Sequence, residues 1–355
     1  MKLITISIFI ILVGFTACSS KTNTARKPVT NILITPSNKT VVYGNDFTID
    51  VQSRITKPEI TEIELYINNI LIEKSTFHQF TQTLNSLQFL PGQYSIRTVA
   101  KNSKGAIGTN FNTFSIVSDI QPEQLSYRVV EHLAHNTKNY TQGLEFYQGK
   151  LYEGTGNHGE SYVYCYDPKT GKEFKQLKLD DQYFGEGITI LNNRLYQLTY
   201  KAKKGFVYDV NTFEKIEEFT FLSKEGWGLT NDGEYLIMSD GSSKVTYINP
   251  NTYKVEKTIE VSHPGGFVGS INELEYVDGV IYANVWPGET IVKFESNTGR
   301  VLAFIDMRGL LSNFNVGHID VLNGIAYEPN EKLFYVTGKW WPRMFKVKFG
   351  LPTEF

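Results

Sequence analysis

The stretch EGITILNNRLYQLTYKAKKGFVYDVNTFEKIEEF, residues 186–219, contains short apolar runs separated by turn residues. The runs ITIL, RLYQLTY and GFVYDV are rich in β-branched and aromatic residues, and Asn or Gly stands between or beside them. Runs of this kind are typical of antiparallel strands joined by tight turns. The 3.6-residue spacing of an amphipathic helix is absent. The stretch therefore predicts a meander of three or four short strands.

The same pattern recurs five times from residue 140 onward. The repeats begin with QGLEF at 142, EGITI at 186, WGLTN at 227, NELEY at 272 and NGIAY at 323, at offsets of 44, 41, 45 and 51 residues. A period of forty-odd residues with three or four strands is typical of propeller blades. The sequence therefore predicts a five-bladed β-propeller.

The last repeat lacks an outer strand. The chain ends soon after MFKVKFG, residues 344–350, whereas LSYRVVEHLAH, residues 125–135, precedes the first repeat and belongs to no blade. A ring of blades has to close, because an open edge leaves backbone groups unpaired. We therefore predict that residues 126–133 supply the outer strand of the last blade, in a propeller domain over 126–350.

Residues 31–118 precede the propeller and alternate between apolar and polar residues, with turns about every ten residues. Their closing segments, LPGQYSIRTVAKNSKG and FNTFSIV, are similar to the last strands of an immunoglobulin-like module. We predict a β-sandwich over 31–118 and a linker over 119–125. The predicted fold class is all-β, with an immunoglobulin-like sandwich followed by a five-bladed β-propeller.

The N-terminus, MKLITISIFIILVGFTAC, resembles a bacterial lipoprotein signal. Its apolar run, Leu3–Val13, is shorter than the ~20 residues of a spanning helix. The resemblance predicts removal of residues 1–17, lipidation of Cys18 and a polar tether over 18–30. We expect an exported lipoprotein, anchored at the periplasmic face or the cell surface through its lipid alone. The alternative is an ordinary secretory signal with an incidental cysteine.

Charge and motif content narrow the possible functions. A net charge of -2 implies no charge-driven affinity for nucleic acid or anionic lipid. The six histidines are scattered without a zinc-binding spacing, so we predict no metal and no cofactor. Glu273 and Glu275, which could support a cation, are predicted to have a structural role or a supporting role behind the site. We expect a monomer without a nucleic-acid partner.

Rotation of the blades about one axis gathers equivalent residues into rings. The heads of the first strands are Gln142, Glu186, Trp227, Asn272 and Asn323, and the ends of the second strands are Gly156, Tyr200, Asp240, Trp286 and Gly338 with Lys339. Only Glu186 in the first ring ionises. We interpret the mixture of one acid, a lysine, aromatic residues and amides as a site rather than a packed hub. The glycines beside Glu186 are predicted to allow a tight turn at the mouth of the central channel of the propeller, so that the carboxylate reaches the axis.

Ten strings in the repeats together resemble the plant-type glutaminyl-peptide cyclotransferase family. They are YTQGLEF, LYEGTG, FGEGIT, LYQLTY, EGWGLT, LIMSDGS, NELEY, IYANVW, VLNGIAY and VTGKWWP. The resemblance covers residues 126 to about 348 in the order of the family. It implies a five-bladed propeller that converts the N-terminal Gln of peptides and proteins into pyroglutamate and releases ammonia, without a metal.

The resemblance also implies roles for individual residues. Glu186 would be the catalytic acid/base. The polar groups of the pocket would be Gln142, Asn272 and Lys339, and its aromatic walls Phe184, Trp227 and Trp286. Tyr200 stands where the family more often has Trp, and Tyr140 where it more often has Phe.

Two other functions stay open at this point. One is a non-catalytic cell-surface propeller that binds peptide ends or glycans. The other is a metal-dependent, lactonase-like propeller, which would need several converging acids where the first ring has one.

Overall fold

The computed structural model describes residues 26–54 and 57–354, so the predicted signal and Cys18 lie outside the described residues. Within those residues, strands form almost all of the regular structure, with short 3₁₀ turns at Ser86–Gln88 and Pro352–Glu354. No helix in this part of the chain is long and apolar enough to cross a membrane. The all-β prediction is therefore confirmed.

Eight strands precede the propeller: β1 Thr30–Thr35, β2 Thr40–Val42, β3 Asp46–Ser53, β4 Ile60–Ile67, β5 Ile70–Ser75, β6 Gln79–Asn85, β7 Gly92–Asn102 and β8 Ile107–Val117. They form a three-stranded sheet in the order β1-β3-β6 and a five-stranded sheet in the order β2-β8-β7-β4-β5. Alternate residues of β4 are buried, as in Ile63, Leu65 and Ile67. The likeness to an immunoglobulin-like module and the domain boundaries stay predictions.

The chain divides into two compact units. The first contains the described residues through Ile32, Asp50–Phe80 and Arg97–Phe111. The second contains Leu33–Ile49, Thr81–Ile96 and the chain from Asn112 onward, and therefore includes every blade.

The remaining strands form the blades. Strand β9 spans Glu123–Ala134. The blades follow in chain order: the first has β10 Thr141–Tyr147, β11 Lys150–Thr155, β12 Tyr162–Tyr166 and β13 Glu173–Lys178; the second has β14 Gly185–Leu191, β15 Arg194–Thr199, β16 Lys204–Asp209 and β17 Lys215–Thr220; the third has β18 Leu229–Asn231, β19 Leu236–Ser239, β20 Lys244–Ile248 and β21 Val255–Glu260; the fourth has β24 Ile271–Val277, β25 Val280–Val285, β26 Thr290–Glu295 and β27 Val301–Asp306; and the fifth has β28 Leu322–Glu328, β29 Leu333–Gly338 and β30 Arg343–Gly350. The hairpin of β22 Ser262–His263 and β23 Gly266–Phe267 lies in the chain between the third and fourth blades.

Each blade is an antiparallel meander, as the opening stretch predicts. Asn192 and Asn193, between β14 and β15, have φ angles of 53° and 60°. A two-residue type I′ turn requires positive φ at both of these positions, and Asn tolerates it well. The hydrophobic core lies between neighbouring blades, where buried residues of one sheet pack on the next; Ile237 of the third blade and Leu274 of the fourth belong to one such cluster.

Strand β9 closes the ring. Its residues Ser126–Ala134 pair antiparallel with Arg343–Gly350 of β30, which confirms the predicted outer strand of the last blade. The strand begins three residues earlier, and Glu123–Leu125 pair parallel with Ala303–Ile305 of β27. The fourth and fifth blades are thereby joined in one eight-stranded sheet.

Removal of β9 should destabilise the propeller. A shortened chain that begins at residue 140 would expose the edge of β30, so we expect it to aggregate or to melt at a lower temperature. A chain that begins near residue 120 keeps β9 and should fold and stay active. Thermal unfolding of the two shortened chains measures the difference. Equal melting temperatures would contradict the role of β9 in closure.

Candidate active site

A β-bulge places the first-ring residue in four of the five blades. The register of the first strand shifts between Thr141 and Gly143, Gly185 and Ile188, Ile271 and Leu274, and Leu322 and Ile325. The residues within these shifts include Gln142, Glu186, Asn272 and Asn323. A bulge redirects a side chain locally while the rest of the strand stays paired. The repeated bulge therefore takes these side chains out of the regular alternation of their strands.

The glycines beside Glu186 do not make a turn, so that prediction is wrong. Glu186 lies inside β14, and neither glycine has a positive φ. A Cβ atom at Gly185 would lie 2.8 Å from the Thr155 carbonyl oxygen, and one at Gly187 would lie 2.4 Å from the Leu229 nitrogen. Glycine is needed here because the backbones of adjoining blades approach closely.

A cavity of about 360 Å³ is lined by all of the predicted site residues that lie in the propeller. Its lining residues are Tyr140, Gln142, Phe184, Glu186, Tyr200, Trp227, Asn272, Trp286 and Lys339. Of the other ring positions, Gly156, Asp240, Gly338 and Asn323 do not line it. The volume lies within the range of small-molecule sites. The structure thus brings together residues that are almost 200 positions apart in the sequence.

Glu186 and Lys339 are the charged residues that line the cavity, and each residue is 4% exposed. Among the described residues, neither group has a hydrogen bond or an ion pair with another side chain. Burial raises the pKa of Glu186 well above its ordinary value; Lys339 opposes this rise and Glu225 adds to it. Burial lowers the pKa of Lys339, against the effects of Glu186 and Asp320. Burial therefore favours the uncharged form of each group and shifts the two pKa values towards each other.

The amides of the cavity are only partly satisfied. The Oε1 atom of Gln142 accepts a hydrogen bond of 3.1 Å from Asn323 Nδ2, which leaves the Gln142 amino group as a donor. The buried Oδ1 of Asn272 has no hydrogen-bond partner within the described part of the chain. A buried acceptor without a partner is costly, and a polar ligand can satisfy it.

Aromatic side chains form two walls. The rings of Phe184 and Tyr200 lie 5.7 Å apart, and those of Trp227 and Trp286 meet edge to face at 5.9 Å. Gly156 makes room for the first wall, since a Cβ there would lie 2.4 Å from the Phe184 ring.

A carboxylate that no sequence pattern predicted supports the second wall. The indole Nε1 of Trp227 donates to Glu225 Oε2 at 3.0 Å. The only signal in the sequence was an acid two residues before a first-ring tryptophan, which is too common a pattern to indicate a contact. Glu225 fixes the orientation of the Trp227 ring.

The acids Glu273 and Glu275 have the predicted structural role. Both oxygens of the buried Glu273 carboxylate accept backbone hydrogen bonds, from Leu144 at 3.1 Å and from Ile325 at 2.8 Å. Glu275 accepts one from Tyr327 at 2.7 Å. These bonds tie the first and fifth blades to the fourth. No group of three or more His, Cys, Asp or Glu residues suited to a metal occurs in the part of the chain that the structure describes.

The fold and the site define a class: a five-bladed propeller whose first strands place a buried glutamate in an aromatic cavity together with a buried lysine. A family model for glutamine cyclotransferase matches residues 103–349, and the chain belongs to this family. Glutaminyl-peptide cyclotransferase of Arabidopsis thaliana is 40% identical over 226 residues, covering 62% of this chain and 70% of the relative. The crystal structure of Myxococcus xanthus glutaminyl cyclase superposes with a TM-score of 0.59 and 31% identity, covering 64% of this chain and 98% of that one.

Proposed function

We propose that this chain cyclises the N-terminal Gln of peptides and proteins to pyroglutamate and releases ammonia. The observation that carries the proposal is the pair of Glu186 and Lys339, which are buried in an aromatic cavity and make no hydrogen bond or ion pair with another side chain of the described residues. The site residues are assigned here as proposals: Glu186 as the acid/base, and the other lining residues as binding groups. Membership of the family supports the same reaction.

The reaction requires one group that both accepts and donates a proton. An N-terminal amine has a pKa near 7.7 to 8.0 and is mostly protonated at pH 7. The neutral fraction of the amine attacks: its nitrogen forms a bond to the γ-carboxamide carbon of Gln, and Glu186 takes one proton from that nitrogen. Glu186 then returns the proton to the leaving nitrogen, the carbon–nitrogen bond of the carboxamide breaks, and ammonia departs. A carboxylate whose pKa is raised by burial suits both steps.

The remaining groups of the pocket orient the substrate and stabilise the negative charge that develops on its carboxamide oxygen. The Lys339 ammonium and the Gln142 amino group are donors for the tetrahedral oxyanion, each contributing about 3 kcal/mol if well placed. Asn272 Oδ1 accepts from an N–H of the substrate. The aromatic walls hold the Gln side chain folded towards its own amine, which favours intramolecular attack.

Activity should not depend on a metal ion. The cavity lining offers one carboxylate and no histidine, a donor set unsuited to a zinc or calcium site. Exhaustive treatment with a chelator should leave the turnover number unchanged in an ammonia-release assay. Loss of turnover that zinc restores would contradict this expectation.

The proposed function is tested with a Gln-initiated dipeptide. Ammonia release and a product lighter by one ammonia are expected, while the same dipeptide with an acetylated amine should not react because its nitrogen cannot attack. Saturable binding without ammonia release would instead support the non-catalytic propeller.

We also propose that the chain is an exported monomeric lipoprotein, attached to a membrane only through a lipid on Cys18. The signal-like N-terminus supports this proposal. Metabolic labelling with a radioactive fatty acid should mark the wild type and not Cys18→Ala. Equal labelling of both would refute the anchor, and a dimeric mass in solution would refute the monomer.

A further inference from the structure

Lys339 is a buried cation without a direct counter-ion. No carboxylate of the described residues lies within 4.0 Å of its side-chain nitrogen. The ammonium lies over the ring of Tyr140, 4.7 Å from the ring centroid. A cation over an aromatic face is stabilised by the quadrupole of the ring, and more strongly where water is excluded. The position of the Tyr140 ring therefore bears directly on the position of the ammonium.

The Tyr140 ring is in turn held by a distant residue. Its hydroxyl donates a hydrogen bond of 3.0 Å to Asp320 Oδ2. Burial raises the pKa of Tyr140 and Asp320 raises it further, so the hydroxyl keeps its proton and acts as the donor. The ring also packs against Trp340, with centroids 4.7 Å apart.

Asp320 is fixed beside the lysine by its own backbone. Its amide donates to the Lys339 carbonyl at 2.9 Å, and its carbonyl accepts from Trp341 Nε1 at 2.9 Å. Its second carboxylate oxygen, Oδ1, accepts from the Val321 amide at 2.7 Å. The carboxylate is thus held in place before it meets the Tyr140 hydroxyl.

We propose that Asp320 and Tyr140 are positioning residues that together hold the Lys339 ammonium in the cavity. Asp320 fixes the ring through the hydroxyl, and the face of the ring fixes the ammonium. The inference rests on the proposed function, in which Lys339 is a donor to the oxyanion. Neither Asp320 nor Tyr140 exchanges a proton in the reaction.

The arrangement also has an electrostatic consequence. The carboxylates that favour the charged form of Lys339 are Glu186 and Asp320. Burial raises the pKa of Tyr140, and Asp320, Glu186 and Tyr200 add to the rise. The imidazole of His318 packs at a tilt against Trp340, with ring centroids 4.8 Å apart. Neutralising Asp320 removes one of the charges that raise the pKa of Lys339. That pKa should fall, and the alkaline limb of the activity profile should move to lower pH.

Two conservative variants separate the link from the charge. Asp320→Asn removes the charge and weakens the link, because its single side-chain oxygen replaces two that accept from the Val321 amide and from the Tyr140 hydroxyl, whereas Tyr140→Phe keeps the ring and removes the link alone. We expect each to lower kcat for a Gln dipeptide by about 3- to 10-fold, the scale of one hydrogen bond. Because both act on one linkage, the double variant should be no slower than the slower single variant. The alkaline limb should move in Asp320→Asn more than in Tyr140→Phe.

The matched control is Asp306→Asn, which removes an aspartate that pairs with Arg308 at the end of β27, outside the cavity. It should leave kcat and the pH profile unchanged. All variants should have melting temperatures close to that of the wild type. Multiplicative losses in the double variant, or an unmoved alkaline limb in Asp320→Asn, would overturn the inference.

A second measurement is independent of turnover. In substrate-free protein labelled with ¹⁵N at its lysine side chains, the Lys339 signal is identified by its absence from Lys339→Met. Its titration should occur at lower pH in Asp320→Asn than in the wild type. If the wild type releases no ammonia, the proposed function fails while this titration still decides the linkage. If the wild type is active and the titration is unchanged, the inference alone fails.

Discussion

Glu186→Gln should lower kcat for a Gln dipeptide by at least about 100-fold, the low end of general acid/base contributions. The amide keeps the size of the side chain but cannot carry the proton between the two nitrogens. Binding of the dipeptide should change little, because the aromatic walls and the amides remain. Steady-state ammonia release gives kcat, and calorimetry with the inactive variant gives the dissociation constant.

The same variant should alter the pH dependence of stability. Burial raises the pKa of folded Glu186 above its ordinary value of 4.5, so the folded state binds this proton more tightly than the unfolded state. Its contribution is fully present below the ordinary pKa and is lost as pH rises through the folded pKa. The melting temperature of Glu186→Gln should therefore depend less on pH than that of the wild type, between the ordinary pKa and the folded pKa of Glu186.

The matched control is Glu214→Gln, an exposed acid in the turn between β16 and β17. It should have wild-type kcat and the wild-type dependence of melting on pH. Glu273→Gln is unsuitable as a control, because both oxygens of that carboxylate accept backbone hydrogen bonds. Near-normal turnover of Glu186→Gln would show that the acid is misassigned.

Lys339→Met should lower kcat/KM by about 100- to 1000-fold, as expected for loss of an oxyanion donor. Met fills a similar volume without a charge. Because Lys339 lowers the pKa of Glu186, its removal should raise that pKa. The acid limb of the activity profile should then move to higher pH, which a purely steric effect would not cause.

Lys346→Met is the matched control for this substitution. Lys346 is also buried in the last blade, but it pairs with Glu131 at 3.1 Å and Glu331 at 2.7 Å and does not line the cavity. Its removal should lower the melting temperature, because the ion pairs with Glu131 and Glu331 are lost, and should leave the acid limb in place. If the acid limb does not move in Lys339→Met, Lys339 does not influence the protonation of Glu186 and the prediction is wrong.

The sequence by itself determined the architecture of the propeller and which residues meet at the cavity. Five copies of a repeat of forty-odd residues give five blades. Equivalent positions in blades related by rotation meet at one end of the axis. For this reason Gln142, Glu186 and Asn272 could be grouped without coordinates. Family strings around Phe184 and Lys339 extended the set to residues outside the first ring.

The tertiary structure alone decided what supports those residues. The hydroxyl of Tyr140 reaches Asp320 across 180 positions, and Glu273 bonds to a backbone amide 129 positions away. Neither partner has a residue pattern of its own, because a single hydrogen bond between blades leaves no periodic signal in the chain. The glycines beside Glu186 were misread for the same reason. Glycine is required at these positions because a Cβ atom would lie 2.4 to 2.8 Å from backbone atoms of the neighbouring blades. Those contacts exist only once the blades have packed together.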